Sequence, residues 1–528
     1  MINEPIFQDN ILSQIWSNLY NYFTHGNWTY YTFTPIIIIT LIAITLKKQE
    51  KQTCWDISIN KDHSKLNLIS KIYFCFSIIA YTVILFSQEN SLFNNYDLMS
   101  FFTTRIFTDG LLPHFNLYGR LSPFANFDSN FIYAITHNYD IINFYILAQI
   151  FLIVYLLYKF LDFIEINKRI FLISTFIISP CFFWTNNFIF YERWIVIFII
   201  SSLIFYKKSK IIPFVIFMNL AIYLKESNIL IYAGMLSFLC GYKFYKDEIK
   251  ISTFIHPIKS IKQMPYEVVI FISCLFFAII HNMVIMNIDN NIYLSSRKCN
   301  YFDLIWLYKT ELLINIIALI YFIKNIKNKQ SNCLNSLLLS ATFFNIFLIF
   351  IIKLITVGYH LEHKTYYLTI PTLINLIYIF TYSKTYKTIS VFLLLIFIPQ
   401  NIYIYSQEQG KEYREIYEYF TKELETKDKL SIFVSKNNTQ SQPWIMTSWA
   451  SSFKYYLPNK DITFKMDLIP PVKKEYFHKI KKQEKAQKEE YAIIKKNQYY
   501  NGGIQDLGNL KRKKVFENKL FEIFYIKE

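Results

Sequence analysis

Residues 69–87 read ISKIYFCFSIIAYTVILFS, an apolar run with a single charged residue, Lys71. A membrane-spanning helix needs about 20 consecutive, mostly apolar residues, so this run predicts such a helix. From Ile72 to Tyr158 the chain then has no lysine, although its Lys and Arg residues together number 55. Because short loops rich in Lys and Arg stay on the cytoplasmic side, the loop after residue 87 is predicted to face outward.

The whole chain has the composition of a membrane protein. Of its 528 residues, 53% are hydrophobic and 19% aromatic, and its mean hydropathy is +0.23. These values exclude a soluble protein of this length and predict an α-helical polytopic membrane protein with about twelve transmembrane helices. The predicted spans are residues 28–46, 69–87, 141–159, 170–187, 194–206, 211–224, 228–244, 267–287, 305–323, 333–352, 365–382 and 388–405.

The loops between these spans separate into two sets by charge. One set is rich in lysine and is predicted to be cytoplasmic. The other set is predicted to face outward and comprises residues 88–140, 188–193, 225–227, 288–304 and 353–364. Both termini then lie outside the cytoplasm. The membrane is predicted to be the plasma or inner membrane of a bacterium, with the endoplasmic reticulum as the alternative for a eukaryotic source. The net charge of +17 follows from the cytoplasmic loops and the tail, so no nucleic-acid partner is predicted.

Three regions are predicted along the chain. Residues 1–68 hold an extra transmembrane helix, which we expect to be retained in the protein, and a cytoplasmic loop. Residues 69–405 form a transmembrane core with the long external loop 88–140. Residues 406–528 form a small extracytoplasmic α/β domain.

Patterns in the tail predict its elements. Lys411–Glu425 is predicted as an amphipathic helix, Lys429–Ser435 and Asp461–Met466 as strands, and Val515–Ile526 as a hairpin or strand pair. The Lys-rich run Lys473–Lys496 is predicted as a solvated helix, with contact to anionic lipid or sugar phosphates as the lesser alternative.

The predicted outward loops carry many charged residues for their length. Ionisable groups near a membrane boundary are costly unless they face water, pair or bind a ligand, so we expect them to line a polar cavity. Such a cavity suits sugar transfer from an isoprenoid phosphate, in which a carboxylate takes the acceptor's proton and cations stabilise the departing phosphate. The residues concerned are Asp97, Arg105, Asp109, Arg120, Asp128, Glu192, Arg193, Lys225, Glu226, Arg297, Lys298, His360, Glu362, His363 and Lys364.

Four features carry a resemblance to a known family: Asn94-Asn95-Tyr96-Asp97 at the start of the long loop, Phe190-Tyr191-Glu192-Arg193, Tyr223-Leu224-Lys225-Glu226, and the α/β tail. From about residue 69 onward the chain resembles the GT-C superfamily of integral membrane glycosyltransferases, which includes protein O-mannosyltransferases and lipid A aminoarabinose transferases. It departs in having Asp97-Leu98 where an adjacent acidic pair is common, and in lacking the Lys-Pro-Pro stretch of the aminoarabinose transferases.

The resemblance implies a membrane glycosyltransferase that moves a sugar from a polyprenyl-phosphate carrier to a lipid, glycan or protein acceptor on the outer face. Asp97 then matches the family's first-loop acidic residue, which acts as the base or positions the acceptor, and Glu192 is the second catalytic candidate. The predicted contacts to substrate or carrier phosphate are Arg105, Arg193, Lys225, Glu226, His360, His363 and Lys364.

Each of these residues also has a structural interpretation. Asp97 could cap a helix, Glu192 and Arg193 could form a structural ion pair, and Lys225 could reach the membrane interface by snorkelling. Asp109 and Asp128 are interpreted as loop or cap residues. His360-Leu361-Glu362-His363 lacks HExxH spacing, so a divalent metal is possible but not indicated, and no cofactor is predicted.

Two other functions compete with this one. O-antigen polymerases and ligases also use external loops with Arg and His, but their large catalytic loop usually comes late among the spans. A non-enzymatic lipid or solute transporter predicts charges near the bilayer midplane and internal repeats, and neither pattern is clear in this sequence.

Overall fold

The computed structural model describes residues 28–47, 65–86, 128, 139–186, 192–225, 228–246, 249, 256, 263–286, 309–325, 332–355, 368–405, 410–427, 429–435, 443–466, 478–496, 507 and 510–527. Among these, the residues up to Ile404 belong to one compact unit and those from Tyr405 onward to a second.

The first unit is helical. Its helices are α1 (Trp28–Leu46), α2 (Leu68–Phe86), α3 (Tyr139–Phe160), α4 (Ile166–Ile178), α5 (Pro180–Asn186), α6 (Glu192–Lys207), α7 (Ile211–Leu224), α8 (Asn228–Tyr245), α9 (Pro265–Met286), α10 (Lys309–Asn325), α11 (Asn332–Ile355), α12 (Thr369–Tyr382) and α13 (Tyr386–Tyr405).

These helices coincide with the apolar segments of the sequence. Segment 170–187 is the exception, because it divides into α4 and α5 at Ser179 and Pro180. In the part of the chain that the structure describes, three helices are long and apolar enough to cross a membrane: Leu68–Phe86, Asn143–Phe160 and Tyr386–Tyr403. A helical membrane protein accords with this finding, whereas twelve crossings stay a prediction.

Helix α2 shows how such a helix is oriented. Its exposed face is apolar and carries Leu68, Ile72, Phe76, Ile79 and Val83. Its buried face holds the polar residues Ser70, Tyr73 and Ser77, and the Tyr73 hydroxyl donates to the Ser390 carbonyl of α13 over 3.1 Å. Large exposed apolar patches are rare in soluble proteins, whereas lipid-facing helices pack through small and polar residues. This face of α2 therefore suits contact with lipid chains.

Helices α6 and α7 form an antiparallel hairpin that positions the site described below. Their connection is only Lys208–Lys210, with Ser209 in the left-handed region at φ 55° and the Lys210 amide donating to the Phe205 carbonyl over 2.9 Å. Helix α7 is apolar and packs against α1, α6 and α9. Because the two helices are similar in length, the start of α6 and the end of α7 lie at the same end of the hairpin.

The described residues of the second unit form a six-stranded sheet with two helices, α14 (Lys411–Thr426) and α15 (Pro443–Tyr456). The strands are β1 (Lys429–Val434), β2 (Asp461–Met466), β3 (Lys479–Lys482), β4 (Tyr491–Lys495), β5 (Arg512–Glu517) and β6 (Phe521–Ile526). Their order is β3-β2-β1-β4-β6-β5; β1 to β4 are parallel, and β6 runs antiparallel to both β4 and β5.

The prediction of a solvated helix over Lys473–Lys496 is wrong for the described part of that run. Residues 478–496 form β3, a turn and β4. Tyr491–Ile494 are buried in the middle of the sheet, between β1 and β6. Glu490 is also buried, and its carboxylate pairs with Lys465 and accepts from Gln483 over 2.9 Å. The apolar run after Glu490, rather than the lysines around it, decides the structure here.

Candidate functional site

Three of the predicted site residues lie in the described part of the chain: Glu192, Arg193 and Lys225. The others lie outside it, namely Asp97, Arg105, Glu226, His360, His363 and Lys364. The structure places the three described residues at the same end of the α6–α7 hairpin, because α6 begins at Glu192 and Lys225 directly follows α7.

Glu192 and Lys225 form a buried ion pair. The Lys225 Nζ lies 2.5 Å from the Glu192 Oε1, and the two side chains are 13% and 7% exposed, respectively. The backbone helps to position both charges. A carboxylate is favoured at the start of a helix and an ammonium group at the end of one, where the partial charges of unpaired backbone groups have the opposite sign.

Arg193 is more deeply buried, with 1% of its surface exposed. Its Nε donates a hydrogen bond to the Gln149 Oε1 on α3. Burying a guanidinium group is costly unless it is paired and hydrogen-bonded, so this contact ties α3 to the start of α6.

Asp128 also lies beside these buried side chains, and its position changes one interpretation of the sequence. It is not merely a loop or cap residue, because it is 4% exposed and its Oδ2 accepts from three side chains of α3 and α6. The Trp194 Nε1 donates over 2.8 Å, the Tyr145 hydroxyl over 3.0 Å and the Gln149 Nε2 over 3.4 Å. Gln149 therefore joins Asp128 to Arg193.

Sequence reasoning missed Tyr145, Gln149 and Trp194 as members of this cluster. Tyr145 and Gln149 lie one helical turn apart on α3, with the Gln149 Nε2 donating to the Tyr145 hydroxyl over 2.9 Å. A single glutamine inside an apolar span is a weak sequence signal. The role of Gln149 becomes evident only from the position of Asp128 in the folded protein.

The cluster, defined as Asp128, Gln149, Glu192, Arg193 and Lys225, balances two carboxylates with two cations. Each carboxylate still has an acceptor atom to offer: among the described residues, Asp128 Oδ1 and Glu192 Oε2 are buried without a hydrogen-bond partner. Buried polar atoms are nearly always hydrogen-bonded, so these two oxygens are suited to accept a hydrogen bond from a hydroxyl group of a ligand. The cations can attract an anionic group.

A second buried ion pair offers a comparison. Lys243 near the end of α8 lies 2.9 Å from Glu267 near the start of α9, and their side chains are 10% and 2% exposed. Helix α8 starts just after Lys225, so this pair is roughly 20 Å away along the helix axis, at a rise of about 1.5 Å per residue. It resembles the Glu192–Lys225 pair in chemistry but not in place.

Comparison with protein-family models, curated proteins and solved structures found no match to this chain. The GT-C resemblance therefore rests on its motifs. As for metals, no group of three or more His, Cys, Asp and Glu residues that could hold an ion occurs within the described ranges, and His360 and His363 fall outside them.

Proposed function

We propose that this protein is a membrane glycosyltransferase that moves a sugar from a polyprenyl-phosphate carrier to an acceptor hydroxyl on the outer face of the membrane. The observation that carries the proposal is the buried cluster of Asp128, Glu192, Arg193 and Lys225, in which both carboxylates have an oxygen that can accept a hydroxyl hydrogen. The same reaction needs cations for the phosphate, and the cluster has two.

In the proposed reaction, carboxylates and cations have different roles. The acceptor oxygen bonds to the anomeric carbon of the sugar while the bond from that carbon to the phosphate oxygen breaks, and its electron pair stays on the polyprenyl phosphate. A carboxylate takes the acceptor's proton. Arg193 and Lys225 stabilise the negative charge that develops on the phosphate. Glu226, Arg105, His360, His363 and Lys364 are proposed to contribute to the same binding region.

Three carboxylates are candidates for the base. Asp97 is favoured by the resemblance, and Asp128, from the same predicted loop, is favoured by its contacts with α3 and α6. Glu192 is the third candidate, because its Oε2 has no hydrogen-bond partner among the described residues. The proposal also includes the predicted topology. The protein has about twelve spans, lies in the plasma or inner membrane, and has both termini outside the cytoplasm.

The test is sugar transfer in membranes that contain the wild type or one of the variants Asp97→Asn, Asp128→Asn and Glu192→Gln. Labelled polyprenyl-phosphate sugars are the donors, and acceptors are those already in the membrane. We expect loss of the base to lower the rate at least about a hundredfold. The matched control is Glu267→Gln, which makes the same chemical change in the distant buried pair and should leave transfer near the wild-type rate per amount of folded protein.

One result would count against the proposal, and a second would count against a chemical role for Glu192. If stably expressed wild-type protein transfers no sugar from any carrier, the polymerase and transporter alternatives are favoured. If Glu267→Gln abolishes transfer as fully as Glu192→Gln does, the effect of Glu192 is one of stability rather than chemistry.

A further inference from the structure

An apolar groove lies among α6, α8, α11 and α12, with a cavity volume of about 130 Å³. Ile199 and Leu203 line it from α6, Gly234 and Phe238 from α8, Phe344 from α11 and Ile377 from α12. The Tyr232 hydroxyl, on another lining residue, is already hydrogen-bonded to Ser202 over 3.0 Å. A space so poor in polar groups holds water badly, because each water needs several hydrogen-bond partners.

The groove is aligned with the polar cluster along α6. Ile199 and Leu203 follow Glu192 by seven and eleven residues, and at about 3.6 residues per turn all three lie on the same face of the helix. The groove thus begins roughly 10 Å, or two turns, from the Glu192–Lys225 pair.

Helix α8, which also lines the groove, likewise connects the Glu192–Lys225 pair to it. It starts at Asn228, just after Lys225, and Ile231, Gly234 and Phe238 lie on one face at helical spacing. Two helices therefore lead from the charged cluster into the groove. This arrangement matches an amphiphile with an anionic head and a long hydrocarbon chain.

We propose that this groove binds the isoprenoid chain of the sugar carrier, with the carrier's phosphate at Arg193 and Lys225. The inference rests on the proposed function, since that function supplies a polyprenyl phosphate as the lipid. Gly234 keeps the groove open, because a Cβ atom built on it would lie 3.4 Å from the Phe344 ring. A larger side chain at this position would occupy the space that the isoprenoid chain needs.

The experiment uses full-length protein purified in detergent and native mass spectrometry of bound lipid. Wild type, Gly234→Leu and Gly241→Leu are each titrated with a long-chain polyprenyl phosphate, a short-chain polyprenyl phosphate and phosphatidylglycerol. Gly241 is the matched control because it lies on the same helix and a Cβ there meets nothing within 4 Å. Both substitutions make the same change in helix propensity.

We expect Gly234→Leu to weaken binding of the long-chain carrier about tenfold, the effect of removing about two methylene groups from a buried position. Binding of the short-chain carrier should not change, and Gly241→Leu should behave like the wild type. Equal binding of the long-chain carrier by all three proteins overturns the proposal. Two further results also overturn it. One is that Gly234→Leu loses binding of the long-chain and short-chain carriers equally, and the other is that the wild type binds phosphatidylglycerol as tightly as the long-chain carrier.

A second measurement decides the matter if Gly234→Leu does not fold. Wild-type protein is photo-crosslinked to a polyprenyl phosphate that carries a diazirine far along its chain, and the labelled peptides are mapped. Label on α8 or α11 around Phe238 and Phe344 supports the proposal, and label confined to other helices overturns it. Both measurements are independent of turnover, so chain-length-dependent binding without any sugar transfer would reject the proposed function and leave the groove assignment standing.

Discussion

Lys225 and Glu192 each depend on the other for stability. A buried charge is costly alone, and removing one partner of a buried pair typically costs about 3–5 kcal/mol because the other charge is left uncompensated. We therefore predict that Lys225→Met lowers the thermal unfolding midpoint of the purified protein in detergent. The double variant Lys225→Met/Glu192→Gln should recover most of this loss, since it leaves no buried charge unpaired.

The second buried pair provides the control for this prediction. Lys243→Met should destabilise the protein by a similar amount, because Glu267 is as deeply buried as Glu192. Binding of polyprenyl phosphate should fall in Lys225→Met and not in Lys243→Met when both are measured below their unfolding temperatures. An equal loss of binding in the two variants would show that Lys225 acts through stability alone.

The sequence predicted part of this residue-scale picture. Glu192 and Lys225 lie in short gaps between apolar runs, so their placement at helix ends, and hence near each other, followed from the pattern. Asp128 was different because it belongs to a long loop, whose path the local pattern does not determine. Its contacts with Tyr145 and Trp194 depend on how α3 and α6 pack, which no single segment encodes.

At the scale of elements, the sequence predicted helices well where apolar residues run long enough. The pattern does not predict the break between α4 and α5, although Pro180 marks it, because the segment is apolar on both sides. In the second unit, the pattern does not predict α15. For residues 478–496 the prediction of a helix is wrong because the lysines dominate the pattern, whereas the short apolar stretch Tyr491–Ile494 determines the fold by entering the sheet.

The break between α4 and α5 leads to a prediction about Glu311 on α10. Its Oε1 accepts a hydrogen bond from the Cys181 backbone amide over 3.0 Å, and Cys181 is the second residue of α5. Amides at the start of a helix have no partner within it, and an unsatisfied buried amide costs about 1–3 kcal/mol. Glu311→Leu should therefore lower stability and speed hydrogen exchange at the start of α5.

Glu311→Gln is the matched variant, because its side-chain carbonyl can still accept from the Cys181 amide. We expect its unfolding temperature and hydrogen exchange to stay close to those of the wild type. If Glu311→Gln is as damaging as Glu311→Leu, the negative charge at the helix start matters more than the hydrogen bond.

At the scale of the whole molecule, the short connection between α6 and α7 determines which residues can act together. Because α7 runs back along α6, the chain returns to the end of the hairpin at which α6 begins. Glu192 and Lys225, more than thirty residues apart in sequence, therefore meet at that end. The connection from α7 to α8 is equally short. Helix α8, which carries one side of the groove, therefore begins at the same end of the hairpin as the Glu192–Lys225 pair. The proposed head and chain sites thus depend on the topology of three consecutive helices.

That topology can be tested directly, because the α6–α7 hairpin must present its open end to the outside for the proposed function. Helix α7 has 14 residues and spans about 21 Å, less than the hydrocarbon core of about 30 Å. Burial against α1, α6 and α9 allows a short helix here. We predict that alkaline phosphatase, which is active only outside the cytoplasm, is inactive when fused after Lys208 and active when fused after Ser227.

Green fluorescent protein at the same two positions should give the reverse pattern and serves as the control for expression. Equal phosphatase activity at both positions would mean that α7 does not cross the membrane. The reverse order would place Glu192 and Lys225 on the cytoplasmic side, where the predicted outward loops could not contribute Asp97 or His360 to the same site. Fluorescence after Lys208 and phosphatase activity after Ser227 would instead place the cluster where an extracytoplasmic acceptor can reach it.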